Sequence, residues 1–188
     1  MFFDHPSGSE DSVGEEEDKV LSPSRMKLRY LTANPFQTRK LGEILAKEML
    51  KTKPGKTAFI IGLEGDLGGG KTTFLQGFAR GCGIKEKILS PTFIIMKEYE
   101  LRRGGGGGSS MKKQRRRSSL FQKFYHIDCY RVEKPKELLD LGFKEIISNP
   151  QNIVAIEWAD RLRKILPENT LILKFEFINK SVRKIMLK

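Results

Sequence analysis

The stretch Gly65-Asp66-Leu67-Gly68-Gly69-Gly70-Lys71-Thr72 decides the fold. It satisfies the pattern G-x-x-x-x-G-K-[ST]. In that pattern glycines let successive backbone N–H groups turn toward phosphates, and the helix that follows adds a favourable dipole for an anion. At an average glycine usage of about 7%, the bare pattern arises by chance in roughly one chain of this length in a hundred, so its flanks matter. The apolar run Ala58-Phe59-Ile60-Ile61-Gly62-Leu63 leads in and reads as a buried parallel strand. Thr73-Phe74-Leu75-Gln76-Gly77-Phe78-Ala79 follows as the opening of a helix, with Phe74, Leu75 and Phe78 on one face. In that setting the stretch is a phosphate loop and implies a bound nucleoside triphosphate. Lys71 would reach the β- and γ-phosphates, and the Thr72 hydroxyl would ligate magnesium.

Outward from the loop, the chain of 188 residues suits one domain with a substantial core. No apolar run approaches the roughly 18 residues of a membrane span. The N-terminus lacks the basic and apolar blocks of a secretory signal. Two cysteines, Cys82 and Cys129, are too few for a disulfide framework or a cysteine-rich metal site. A cytoplasmic setting with no membrane partner is the expectation. The formal charge of +12 is uneven: residues 1–18 hold seven acids and no Lys or Arg, and residues 102–117 hold seven bases and no acids. Since these cancel, the body of the chain is itself basic, which fits a nucleic-acid neighbour or simply a lysine-rich solvated surface.

Residues 1–25 are acidic, rich in Ser and Gly, and read as a disordered leader; residues 26–188 read as a single domain. Met26 to Leu31 alternates as a half-exposed strand. Asn34-Pro35-Phe36-Gln37 is a helix start, and Leu41, Ile44, Leu45 and Met49 follow at helical spacing until Lys53-Pro54-Gly55. The loop helix closes near Gly81-Cys82-Gly83. Ile94 to Leu101 and Leu120 to Ile127 form a hairpin whose loop carries a Gly/Ser/basic insertion at about 102–119, with five consecutive glycines. A short helix covers Pro135 to Leu141, Ile153 to Ile156 is a second apolar strand, and residues 159–166 make a helical turn. Thr170 to Ile178 and Val182 to Leu187 close the chain as a hairpin. The expected architecture is a three-layer α/β P-loop NTPase fold, with a largely parallel central sheet and antiparallel hairpins.

A phosphate loop needs an acid on a neighbouring strand to complete magnesium coordination or orient water. Glu157 follows four apolar residues and Asp128 follows Phe124-Tyr125-His126-Ile127, both at C-terminal strand ends where ligands gather in such sheets. Either could instead cap the next helix. His126 could bond a neighbouring acid or simply pack, and Trp158 could meet a base, a partner or the core.

Four ordered motifs now coincide: Gly65 to Thr73, Ser90-Pro91-Thr92-Phe93, His126-Ile127-Asp128-Cys129-Tyr130-Arg131, and Glu157-Trp158. Together they resemble the TsaE (YjeE) ATPases of bacterial threonylcarbamoyladenosine biosynthesis, over about residues 26–101 and 120–187. The acidic leader and the insertion depart from that family, and Gly69 stands where Ala is common. The resemblance implies an accessory ATPase, weak alone, that is required for threonylcarbamoyladenosine at position 37 of tRNAs reading ANN codons. It would act with the TsaD and TsaB proteins without itself being the transferase. It implies ATP and Mg2+ as cofactors, with Gly65, Gly68, Gly69, Gly70, Lys71, Thr72 and Thr73 on the phosphates and Thr38 beside the nucleotide. Thr72 and Glu157 would face the metal, and Lys71, Asp128 and Glu157 would serve hydrolysis. Ser90 to Phe93 would act as a switch-like segment, and Arg183 matches a family arginine without an assigned role. The basic insertion offers a tether along tRNA phosphates, or a solvated loop with no ligand.

The alternative is a P-loop small-molecule kinase. That would need a second pocket and an arginine-bearing lid, whereas the arginines here cluster among glycines. A GTPase is disfavoured because Asn179-Lys180-Ser181-Val182 lacks the guanine-reading acid. A nucleic-acid-binding module with a purely regulatory nucleotide site is a third class, which mutation of Lys71 without loss of function would favour.

Overall fold

In the computed structural model the apolar run before the loop is β2 (Phe59–Glu64), the middle strand of a seven-stranded sheet. The structure describes residues 28–89, 94–101 and 120–188. The acidic leader, Met26-Lys27, the Ser90–Phe93 segment and the 102–119 insertion lie outside the described residues. The strands are β1 (Arg29–Thr32), β2, β3 (Met96–Glu100), β4 (Lys123–Asp128), β5 (Asn152–Glu157), β6 (Leu171–Phe177) and β7 (Arg183–Leu187), in the order β1-β7-β6-β2-β5-β4-β3. The inner four, β6, β2, β5 and β4, are mutually parallel. The outer strands β7, β1 and β3 join antiparallel. This is the expected layout, with a hairpin on each flank of a parallel core.

Helices cover both faces, so among the inner strands β2 and β5 are buried along almost their whole length, whereas β6 alternates through the partly buried Lys174 and Glu176. Side-chain parity divides them between two cores. Ile61 and Leu63 of β2, Ile153 and Ala155 of β5, and Phe124 of β4 pack under α1 (Pro35–Met49) and α2 (Lys71–Gly81), against Ala46, Met49, Phe74 and Phe78. Ile60, Val154, Ile156 and Ile127 face the other way, toward Leu138 of α3 (Lys136–Leu139), Phe143 of α4 (Phe143–Ser148) and Leu162 of a 3-10 turn (Ala159–Leu162).

The start of α1 follows its sequence. The Asn34 side chain accepts from the Gln37 N–H at 2.9 Å, and the Ala33 N–H donates to Gln37 Oε1 at 2.7 Å, with Pro35 at the first turn. Its buried face departs from expectation. Thr38, Gly42, Ala46 and Met49 are buried, Leu41 and Leu45 are only partly so, and Ile44 is exposed. Small residues win because α1 lies directly on α2. A Cβ at Gly42 would strike the Phe74 carbonyl oxygen, and one at Gly77 would strike that of Arg39. The helix expected over Pro135 to Leu141 is also shorter, and a second one, α4, follows the left-handed Gly142 (φ 78°). The hairpin ahead of the second half of the sheet begins its strand at Lys123 rather than Leu120, and the turn after Trp158 is 3-10 over only four residues.

Candidate functional site

The phosphate loop leaves β2 through Gly65, whose φ of 129° is closed to other residues and whose Cβ would strike the Phe175 carbonyl oxygen. Only glycine passes between these two strands. The loop ends at Gly70 (φ 97°), the left-handed N-cap of α2, with no side chain capping the amides of the helix's first turn. Behind the loop, Glu64 is buried and gripped by Arg163, through Nε at 3.1 Å and Nη2 at 2.8 Å, and by Lys188 at 3.0 Å. Burial pushes the Glu64 carboxyl up, but these cations outweigh it and hold the group below its usual range.

Lys71 is 5% exposed, and its ammonium donates to the carbonyls of Gly65 at 2.6 Å and Asp66 at 2.9 Å. It also lies 3.8 Å from the centre of the Trp158 ring, a cation–π contact. Burial lowers the pKa of this amine, against the attraction of Glu157, Asp128, Asp160 and Asp66. Trp158 itself takes a left-handed backbone (φ 60°, ψ 41°), alone among non-glycine residues described. Such conformations cost about 1–3 kcal/mol and cluster at functional sites.

Both strand-end acids reach this point. Asp128 and Glu157 are register partners on neighbouring parallel strands, and both point to the α2 side of the sheet by the parity that buries Phe124 and Ala155 there. Glu157 is 2% exposed; Thr72 donates its hydroxyl to Oε2 at 2.7 Å, and Oε1 lies 3.0 Å from His126 Nε2. Asp128 is buried and accepts from the Tyr130 N–H at 3.0 Å. The oxygen touching the loop's threonine therefore belongs to Glu157.

A cleft of about 540 Å³ opens over these groups. Gly68, Gly69, Gly70, Lys71, Thr72, Thr73, Thr38, Asp128 and Glu157 all line it, and Gly65 sits beneath at the loop's root. Thr38 is buried, with its hydroxyl 2.8 Å from that of Thr32. Arg183, which lacked a role in the sequence, also faces the cleft. Its Nε donates to the Gly68 carbonyl at 3.0 Å, and Nη1 donates to the Asn179 carbonyl at 2.7 Å. Tyr130 lies against Trp158 with ring centres 5.1 Å apart, a pairing that two residues 28 positions apart do not announce.

The donor set fits magnesium with a nucleotide. Among the described residues no group of three His, Cys, Asp or Glu converges as a protein cage for a metal. One hydroxyl and one carboxylate converge instead. Magnesium is held in that manner, by one or two protein oxygens with the rest supplied by phosphates and water. Beside them, the buried ammonium of Lys71 and the guanidinium of Arg183 provide positive charge for an anion.

The chain matches, over residues 32–185, the family described as threonylcarbamoyl adenosine biosynthesis protein TsaE. The tRNA threonylcarbamoyladenosine biosynthesis protein TsaE of Bacillus subtilis is 36% identical over 144 residues, covering 77% of this chain and 74% of that protein. Its counterpart in Haemophilus influenzae is 30% identical, covering 76% and 77%. The crystal structure of Bacillus subtilis YdiB superposes with a TM-score of 0.61 at 29% identity, over 86% of this chain and 84% of that one. Because the family match extends from the end of β1 into β7 and spans the loop and both strand-end acids, the chain is a member of the TsaE family.

Proposed function

We propose that this protein is the ATP-hydrolysing accessory component of tRNA threonylcarbamoyladenosine formation, acting in the cytoplasm with proteins of the TsaD and TsaB type. Family membership carries the pathway. One observation carries the chemistry: the 2.7 Å contact between the Thr72 hydroxyl and Glu157, which joins the phosphate loop to a strand-end acid.

In this reading the amides from Gly68 to Thr73 and the ammonium of Lys71 bind the triphosphate, and Arg183, held against the loop at Gly68, adds charge. Thr72 and Glu157 hold Mg2+, which when bound neutralises charge developing on the phosphates. Asp128, one strand over, orients the attacking water. Thr38 packs beside the nucleotide. Trp158, with Tyr130 packed against it, shields the Lys71 ammonium from bulk water, which strengthens its pull on an anion.

A docking role for this end of the molecule is supported by exposed apolar side chains about the cleft. Leu67 at the loop tip, Ile94 and Tyr130 on the walls, and Phe36 beside Pro35 all present apolar surface to solvent. Large side chains grouped in that way mark protein contacts. Among the described residues no helix is long and apolar enough to cross a membrane. The insertion's seven bases would run along tRNA phosphates.

The test is tRNA from cells lacking this protein, which should lose threonylcarbamoyladenosine and regain it with the wild-type chain but not with Lys71→Ala. Full modification in those cells, or rescue by the variant, refutes the reading. Hydrolysis by the purified chain should be slow and should rise when TsaD and TsaB type partners are added.

A further inference from the structure

His126 is 1% exposed, and the hydrolytic reading assigns it nothing. It lies on β4 directly across from Ala155, while Glu157 is the diagonal neighbour one pleat further along β5. Diagonal pairs are too far apart for short side chains but within reach of a ring and a glutamate. The small Ala155 leaves the room through which the imidazole reaches Glu157 Oε1 at 3.0 Å. The other carboxylate oxygen accepts from Thr72. A carboxylate only accepts, so the His126 ring carries its proton on Nε2 and donates it.

We infer that His126 is a positioning residue: its Nε2–H fixes one oxygen of Glu157 so that the other stays turned toward Thr72 and the metal. A glutamate has three rotatable torsions, and Thr72 alone fixes one oxygen without fixing the plane of the carboxylate. A second donor from the adjacent strand sets that plane. Since α2, β5 and β4 each supply one member of the Thr72–Glu157–His126 chain, the metal-facing oxygen is registered to three elements at once. Partners of this kind behind a metal ligand commonly govern 10- to 100-fold in metal affinity or activity. The inference rests on Thr72 and Glu157 being the metal site.

The experiment compares His126→Leu, His126→Gln and His126→Asn with wild type and Glu157→Gln. Two quantities are read: the Mg2+ concentration giving half-maximal ATP-induced change in Trp158 fluorescence, and turnover. Gln can place an N–H where imidazole Nε2 stands, whereas Asn reaches only to Nδ1. His126→Leu and His126→Asn should need roughly tenfold more Mg2+ and turn over about 10- to 100-fold more slowly. His126→Gln should fall within about threefold of wild type on both. Wild-type behaviour of His126→Leu, or a His126→Gln as impaired as His126→Asn, overturns the inference. If His126→Leu does not fold, the Gln–Asn pair still decides. An unshifted Mg2+ midpoint in Glu157→Gln refutes the metal reading itself. A shifted Glu157→Gln beside an unshifted His126→Leu refutes only the role of His126.

Discussion

Replacing Glu157 by Gln preserves its shape while removing its charge and turning one acceptor oxygen into a donor. In the wild type two donors meet the carboxylate, the Thr72 hydroxyl at 2.7 Å and the His126 ring at 3.0 Å. An amide has one oxygen for them, so one donor must turn round and accept, and a threonine hydroxyl can. The structure therefore tolerates the change, but two charge-assisted hydrogen bonds become neutral ones, a loss of about 1 kcal/mol each. Relief from burying a charge returns part of this, so about 2 kcal/mol is an upper bound. For a domain of this size that lowers the melting temperature by at most about 4–8 °C. Function should suffer more. With the metal-facing charge gone, turnover should fall by on the order of a hundredfold, about 2.7 kcal/mol of transition-state stabilisation. Nucleotide should still bind, because the loop amides and Lys71 are untouched. Trp158 is the only tryptophan in the chain and touches Lys71, so its fluorescence reports binding without a label. Turnover within threefold of wild type would refute the reasoning, as would nucleotide affinity falling in step with turnover. A silent Glu157→Gln beside a crippled Asp128→Asn would move the principal role to Asp128.

Lys71→Ala should abolish tight nucleotide binding, and ATP bound at wild-type affinity in equilibrium dialysis would sink the site assignment. Gly77→Ala pits a helix-propensity gain of about 1 kcal/mol against a methyl forced into the Arg39 carbonyl, so a net loss of about 2 kcal/mol or more is expected in urea unfolding; a gain would contradict the α1–α2 contact. Glu43 is held down to about 2 by Lys47 and Arg80, so its stabilising contribution is complete above the ordinary 4.5 and fades as pH falls toward 2. Glu43→Gln should therefore be less stable than wild type at pH 7 and converge with it near pH 2, whereas a constant difference across that range would exclude the linkage. Deleting Gly104 to Arg117 should flatten the salt dependence of tRNA binding and leave hydrolysis unchanged; an unaltered slope would leave the insertion without a ligand.

The phosphate loop, its strand and its helix were legible because local chemistry determines them: glycine for a backbone no other residue adopts, and periods of two and 3.6 on either side. The two acids were legible as strand ends. The wholly apolar run before Glu157 favours it over Asp128, but the contact that distinguishes them, Thr72 reaching across to β5 rather than β4, is a fact of sheet order. The buried face of α1 differs from its apolar spacing for a related reason. Large apolar residues mark a helix's core side only when the neighbour is at ordinary distance, and Gly42 and Gly77 bring α2 closer than leucine allows. Arg183 reaches the loop because β7 folds back beside β6 and β1, a pairing 115 residues removed from Gly68. No local pattern carries that information.

The flanks of the insertion have a practical consequence. Leu101 and Phe121 are both buried, and the Leu101 N–H bonds the Gln122 carbonyl, so the two ends leave the β3–β4 hairpin side by side from a firm base. That base is at the Lys123 end of β4, whereas Asp128 at the other end borders the cleft. Six strand residues, roughly 20 Å, separate the two. The hairpin is thus a natural port for attachment: a fluorophore, an affinity tag or a whole folded domain could be grafted between Leu101 and Leu120 with the nucleotide cleft facing away from it.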